Sequence, residues 1–285
     1  MPSASSLVRP DRLFEGYLFD LDGTLYLGSE LLPGAARLVE ALRRLERRIL
    51  FLSNNPTKEP AEYAAKLTAL GIPADEREVV NTVTTMTRWL LRHAPGATVF
   101  PIAEEPLLRA LRRAGIAISD DPAQIDIVIA SYDRTFDYRK LQIAFDALWP
   151  GGGARGERQQ ARLLATNPDR YCPMPGGRGE PDAAAIVAAI EACTGVRCER
   201  HVGKPDPFMI ETALEVIALP AERCVMTGDR LYTDVAMAHA AGMPAALVLT
   251  GETTPETLAA AAAAERPHYV LERVDHLLPA DSWPA

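Results

Sequence analysis

The amino-acid sequence predicts an α/β fold, in which a parallel-sheet core carries a second α/β domain inserted into it. Two short apolar runs, Tyr17-Leu18-Phe19 and Ile49-Leu50-Phe51-Leu52, end abruptly in polar residues and are each followed by a helical pattern. That alternation builds parallel sheets. It returns near the C-terminus, where Cys224-Val225-Met226-Thr227 and Ala245-Ala246-Leu247-Val248-Leu249 are separated by a helical stretch. The middle, residues 83–199, is too long for a crossover, because connections usually run about 4–6 residues.

Residues 1–12 carry Pro, Ser and charge without an apolar run, so they read as a flexible tail rather than a signal peptide. A strand over 16–21 follows, then a helix beginning near Pro33, where proline suits a first turn and Leu38, Leu42 and Leu45 recur with helical spacing. The second apolar run stops at Ser53-Asn54-Asn55-Pro56, and a helix over 60–70 closes at Gly71. Residues 13–82 and 200–285 make the discontinuous core domain. The inserted domain, 83–199, alternates helix 84–92, strand 98–100, helix 106–114, strand 127–130, helix 138–148, strand 162–166 and helix 182–193. Back in the core, Asp206-Pro207 caps and opens a helix reaching about Ala218. A helix over 232–241 follows Gly228-Asp229, and the alanine run 259–264 reads as a high-propensity helix.

Bulk properties narrow the function. The 285 residues carry a formal net charge of −8, which argues against a broad nucleic-acid-binding surface. No apolar run approaches the roughly 18 residues that span a bilayer. The four cysteines, Cys172, Cys193, Cys198 and Cys224, show no CxxC spacing, which fits a reducing cytoplasm better than a disulfide framework.

The chemistry-bearing residues cluster at strand ends, where open parallel sheets bind ligands. Asp20-Leu21-Asp22-Gly23-Thr24 places two carboxylates on one side of an extended chain with Leu21 turned to the core, and Gly23 permits a tight turn. Ser53 and Asp229 finish two further strands, and Gly203-Lys204-Pro205 fixes a lysine before a helix. Hydrolysis of a phosphate monoester, which enzymes accelerate by up to about 10²¹-fold, needs an in-line nucleophile, a proton donor and positive charge on the phosphoryl oxygens. Asp20 supplies the nucleophile, forming an aspartyl-phosphate, and Asp22 the acid and base. Ser53 and the backbone amides after it suit the phosphoryl oxygens, which makes Asn54 and Asn55 substrate-binding candidates. Lys204 neutralises charge. Mg²⁺ is expected on Asp20, Asp229 and the backbone carbonyl of Asp22, with Asp234 one turn onward holding the site rather than ligating it.

These four segments, with Gly228-Asp229-Arg230-Leu231-Tyr232-Thr233-Asp234 as the last, closely resemble the motifs of haloacid dehalogenase superfamily phosphatases. Leu25-Tyr26-Leu27-Gly28 and Thr57-Lys58 are similar to the NagD/4-nitrophenyl phosphatase branch. The resemblance spans nearly the whole chain after residue 14 and implies a Rossmann-like core with a large α/β cap of the C2 type between the second and third motifs. It implies that the cap selects the substrate and that Ala165-Thr166-Asn167-Pro168-Asp169 faces the active site, which makes Asn167 and Asp169 substrate-binding candidates. Where many relatives carry a glycine-rich stretch, this chain reads Gly179-Glu180-Pro181-Asp182-Ala183, and Asp182 is expected to cap its helix. Dimerisation through the cap is common among look-alikes, although the sequence shows no patch of its own for a homodimer.

Gly151-x-Gly153-x-x-Gly156 matches a dinucleotide-binding pattern but follows a helix and Pro150 rather than a strand, so it reads as a loop. His93, His201, His239 and His268 lack metal-ligand spacing, and Met226 and Met237 fit core positions. The expected activity is Mg²⁺-dependent hydrolysis of a small phosphorylated metabolite: a sugar phosphate, phosphoglycolate, glycerol phosphate, nucleoside monophosphate or pyridoxal phosphate. A phosphotransferase or mutase, or a non-catalytic phospholigand sensor, are the alternatives. A metal-free dehalogenase is disfavoured by Asp22 and Asp229.

Overall fold

The computed structural model describes residues 7–149, 160–174 and 177–284. The chain divides into two compact units. The first comprises Met1–Ser53, Pro60–Val80 and Lys204–Ala285, and the second Asn54–Glu59 and Asn81–Gly203.

The first unit is built on a six-stranded sheet, in the order Tyr269–Leu271, Ala245–Val248, Cys224–Gly228, Gly16–Asp20, Arg48–Ser53 and Val79–Asn81. The pairings among the first five strands are all parallel. Every residue of Gly16–Asp20 is buried, as expected for a parallel strand covered on both faces. Alternation divides its side chains. Tyr17 and Phe19 join Phe51, Leu38, Leu42 and Leu67 in one apolar cluster, whereas Leu18 joins Leu50, Leu52, Met209, Met226 and Met237 in another. Parallel pairing sets Phe19 beside Phe51 and Thr227, so Asp20, Ser53 and Gly228 finish three adjacent strands at one edge.

The second unit carries a five-stranded parallel sheet, in the order Arg200–His201, Arg162–Ala165, Ile127–Ala130, Thr98–Ile102 and Ala117–Ile118. Its helices are Thr82–His93, Glu105–Arg113, Tyr138–Leu148 and Ala183–Thr194. Asp182 caps the last of these, accepting a hydrogen bond from the Ala183 amide at 2.6 Å. An antiparallel ribbon, Tyr171–Met174 with Arg178–Pro181, was not expected from sequence. Pro173 and Pro181 within it depress any strand signal.

Two expectations are corrected. The alanine run does not form one helix: Pro255–Ala260 is α-helical, and a separate 3₁₀ turn spans Ala263–Glu265. Leu258 is the one buried residue of that short helix, and helices this short depend on packing more than on propensity. The helix expected from Tyr232 begins instead as a π-helical turn, Leu231–Val235, before the α-helix Ala236–Ala240. Val8, within the segment expected to be a flexible tail, exchanges backbone hydrogen bonds with Val270 at 3.0 and 2.8 Å. Gly151, Gly153 and Gly156 lie outside the described residues. Among the described residues, no helix is long and apolar enough to cross a membrane.

Candidate active site

The first unit gathers Asp20, Lys204, Asp229 and Asp234. All four are buried: Asp20 ends a strand, Lys204 and Asp229 follow strands, and Asp234 lies within the turn Leu231–Val235. Carboxylate oxygens of Asp20, Asp229 and Asp234 lie within 4.8 Å of one another. The Lys204 ammonium donates to Asp20 Oδ1 and, at 2.7 Å, to Asp234 Oδ1. Asp234 Oδ2 accepts from the Arg230 amide at 3.2 Å. The π-helical turn brings Asp234 inward here, and such turns occur often at functional sites. Gly228 must lack a side chain, because a Cβ there would collide with the Asp234 carboxylate. Asp20 Oδ2 accepts from Thr24 Oγ1 at 3.4 Å. Ser53 is buried at its strand end, with its hydroxyl 3.5 Å from that of Tyr63.

Lys204 pairs with two of three crowded carboxylates, Asp20 and Asp234, and the electrostatics follow from that imbalance. Burial raises the Asp229 pKa, and the Asp20 and Asp234 carboxylates raise it further. Burial also raises that of Asp234, opposed by the Lys204 ammonium. For Lys204, burial acts to lower the pKa, but Asp20 and Asp234 together hold it above the ordinary lysine value. Asp22 is raised by burial, opposed by Lys66 and reinforced by Asp20. A half-buried carboxyl pushed upward is the usual condition for a general acid.

A divalent cation fits this donor set. Asp229 Oδ1 is buried and accepts no hydrogen bond among the described residues, while the oxygens of Asp20 and Asp234 lie close by. Hard oxygen donors at this spacing suit Mg²⁺, and a bound cation would relieve the mutual repulsion of the carboxylates.

The remaining candidates belong to the second unit. Asn54 Nδ2 donates to Asp169 Oδ2 at 3.0 Å, and Asn167 Nδ2 donates to Asp169 Oδ2 and Asp182 Oδ1 at 3.0 and 3.1 Å. Asn167 Oδ1 accepts from Thr166 Oγ1 at 2.7 Å, which leaves this fully buried amide engaged at both ends. Asn55 Oδ1 accepts from the Thr57 amide and hydroxyl at 2.9 and 2.6 Å, while its Nδ2 donates to Cys172 Sγ at 3.6 Å. Sequence reasoning missed the residues after the Ala245–Val248 strand, which touch Asp229. The Glu252 amide donates to Asp229 Oδ2 at 2.6 Å.

Comparison with known proteins gives the family. Residues 17–117 match the family model described as haloacid dehalogenase-like hydrolase, and residues 201–277 match the model described as HAD-hydrolase-like. The chain belongs to the haloacid dehalogenase-like hydrolases and is a phosphatase of that family. It is 36% identical over 236 residues, 83% of each chain, to the sugar-phosphatase AraL of Bacillus subtilis. Among solved structures it resembles a 4-nitrophenylphosphatase from Thermotoga maritima, with a TM-score of 0.84 and 34% identity, covering 93% of this chain and 96% of that one. It also resembles a glycerol phosphate phosphatase from Mycobacterium tuberculosis in complex with magnesium, with a TM-score of 0.81 and 30% identity, covering 93% and 76%.

Proposed function

We propose that this phosphatase hydrolyses a small phosphate monoester with Mg²⁺ and through an aspartyl-phosphate on Asp20. The observation that carries the proposal is the buried cluster in which Lys204 bridges Asp20 and Asp234 beside the unpartnered Asp229 Oδ1. An Asp20 carboxylate oxygen attacks phosphorus as the bond to the leaving oxygen breaks, and Asp22 delivers its proton to that oxygen. Asp22, now ionised, takes a proton from water, the water oxygen attacks phosphorus, and the bond to Asp20 breaks to release inorganic phosphate. Lys204 and Ser53 steady charge on the phosphoryl group. Asp20, Asp229 and the Asp22 carbonyl would hold Mg²⁺, which would supply positive charge against the phosphoryl oxygens. Asp234 orients Lys204.

The substrate class is a small phosphorylated metabolite, a reading supported by relatives named for sugar phosphates, glycerol phosphate and 4-nitrophenyl phosphate. In the second unit we assign Asn54, Asn167 and Asp169 to shaping the substrate surface, a role supported by the way they fix one another. The four cysteines, which lack CxxC spacing, support a reducing cytoplasm.

The test is inorganic phosphate release across a panel of phosphorylated metabolites and 4-nitrophenyl phosphate, with Mg²⁺, with chelator, and with Asp20→Asn. Turnover that needs the metal and falls on the order of 10⁴-fold or more in the variant is expected. Turnover that survives Asp20→Asn would rule out the aspartyl-phosphate. Transfer of phosphate to added alcohols rather than water would mark a phosphotransferase. No turnover on any compound, with protein folded and metal bound, would mark a phospholigand sensor.

A further inference from the structure

The turn after the Ala245–Val248 strand has no part in the mechanism above, yet it touches the reaction centre at several points. The Glu252 amide donates to Asp229 Oδ2 at 2.6 Å, and the Thr253 amide donates to the Asp229 carbonyl at 3.2 Å. Thr250 Oγ1 donates to the Gly23 carbonyl at 2.7 Å, joining this turn to the one that follows Asp22. Gly251 abuts the same carboxylate: a Cβ there would lie 2.5 Å from Asp229 Cγ. Its φ lies outside the left-handed region, so space rather than backbone torsion requires the glycine. Gly23 is tight against the same group, since its Cβ would lie 2.6 Å from Asp229 Oδ2 and 3.1 Å from Gly251 Cα. The Glu252 side chain is anchored in turn, accepting from the Tyr232 hydroxyl at 2.9 Å and pairing with Arg230 at 2.8 Å.

We infer that residues 250–253 form a positioning strap for Asp229, committing Oδ2 to the protein so that Oδ1 alone is presented to a divalent cation. The strap rests on the metal reading given under the proposed function. A backbone amide on one oxygen opposes rotation of the carboxylate and takes up a lone pair that binding through both oxygens would use. Its remaining oxygen is therefore aimed before the cation arrives. The two glycines leave the room this needs, and the Thr250 hydroxyl keeps the strap against the Gly23 turn.

The test compares wild type, Gly251→Ala, Thr250→Val and Thr250→Ser as full chains. Mg²⁺ binding is measured by titration calorimetry, Tm is measured in chelator, and kcat and KM are measured at saturating Mg²⁺. Gly251→Ala should weaken Mg²⁺ roughly 10–100-fold, the usual effect of disturbing a group that orients a metal ligand. Its Tm in chelator should stay within a few degrees of wild type, and KM for 4-nitrophenyl phosphate should change little. Thr250→Val should weaken Mg²⁺ less, and Thr250→Ser should restore it. If Gly251→Ala does not fold, the Thr250 pair decides: weakened binding in the valine variant, regained with serine, supports the strap. Wild-type Mg²⁺ affinity in the folded variants overturns the strap alone. Failure of the wild-type protein to bind Mg²⁺ overturns the metal reading and the strap together.

Discussion

Each unit buries a polar cluster, and the two are satisfied in opposite ways. In the second unit, Asn54, Asn167, Asp169 and Asp182 meet donor to acceptor, with amide hydrogens on carboxylate oxygens at 3.0 to 3.1 Å. In the first, Lys204 pairs with Asp20 and Asp234 only, and an oxygen of the neighbouring Asp229 is left without a hydrogen-bond partner among the described residues. Buried polar groups in stable proteins are normally paired. A matched network holds its own geometry, whereas crowded carboxylates favour a cation. The same residue types thus divide between holding a surface and doing chemistry according to their balance of donors and acceptors.

Three experiments sharpen or break that contrast. The largest effect is expected from Asp22→Asn, which keeps the side chain's shape but removes its proton: kcat should fall by roughly 10²–10⁴-fold. Steady-state assays should show a smaller loss on 4-nitrophenyl phosphate, whose leaving group needs little protonation, than on an alkyl phosphate. Equal losses on both would remove Asp22 from the role of acid. Next, Mg²⁺ should raise Tm over the chelated protein, by about 2.7 kcal/mol of stabilisation at a hundred times Kd. Differential scanning calorimetry with Asp169→Asn should show that increment intact, because the second cluster needs no cation. The smallest effect is the baseline change in Asp169→Asn itself. Two amides would then face an amide, at a cost of about 1–3 kcal/mol, read as a lower Tm in chelator. A loss of Mg²⁺ response in that variant would show that the two clusters are not independent.

Asp20 and Asp229 were legible because each is a carboxylate at the end of an apolar run, whereas Lys204 and Asp234 were marked by the Gly203-Lys204-Pro205 segment and by the spacing from Asp229. Asp20 and Ser53 finish strands, Asp229 follows one directly, and parallel pairing carries them to one edge. The strap was not legible, since it acts through the Glu252 amide and the missing side chain of Gly251. One signal was available: Ala245–Val248 is also a parallel strand of this sheet, and its polar end follows the same rule. The partners of Asn54 were hidden for a different reason. Asp169 lies 115 positions away in sequence, and only the fold makes them neighbours. The alanine run misled because propensity was read without asking what the helix could pack against, whereas Tyr138–Leu148 appeared as expected with Ala144, Ala147 and Leu148 buried.

The short segment Asn54–Glu59 sits with the second unit although the chain on both sides of it belongs to the first. It is tied to that unit by Asn54 to Thr82 and Asp169, the Lys58 carbonyl to Asn81, and Glu59 to Arg109 and Arg113. Anyone building chimeras from relatives of this protein therefore faces two seams rather than one. A graft of Asn81–Gly203 alone would set a foreign body against the host's own 54–59 loop, taking the Asn54 amide from Asp169 and breaking the Glu59 ion pairs. Transplanting both pieces together carries the full set of contacts, and the recombination boundaries then fall at Ser53, Pro60, Val80 and Lys204.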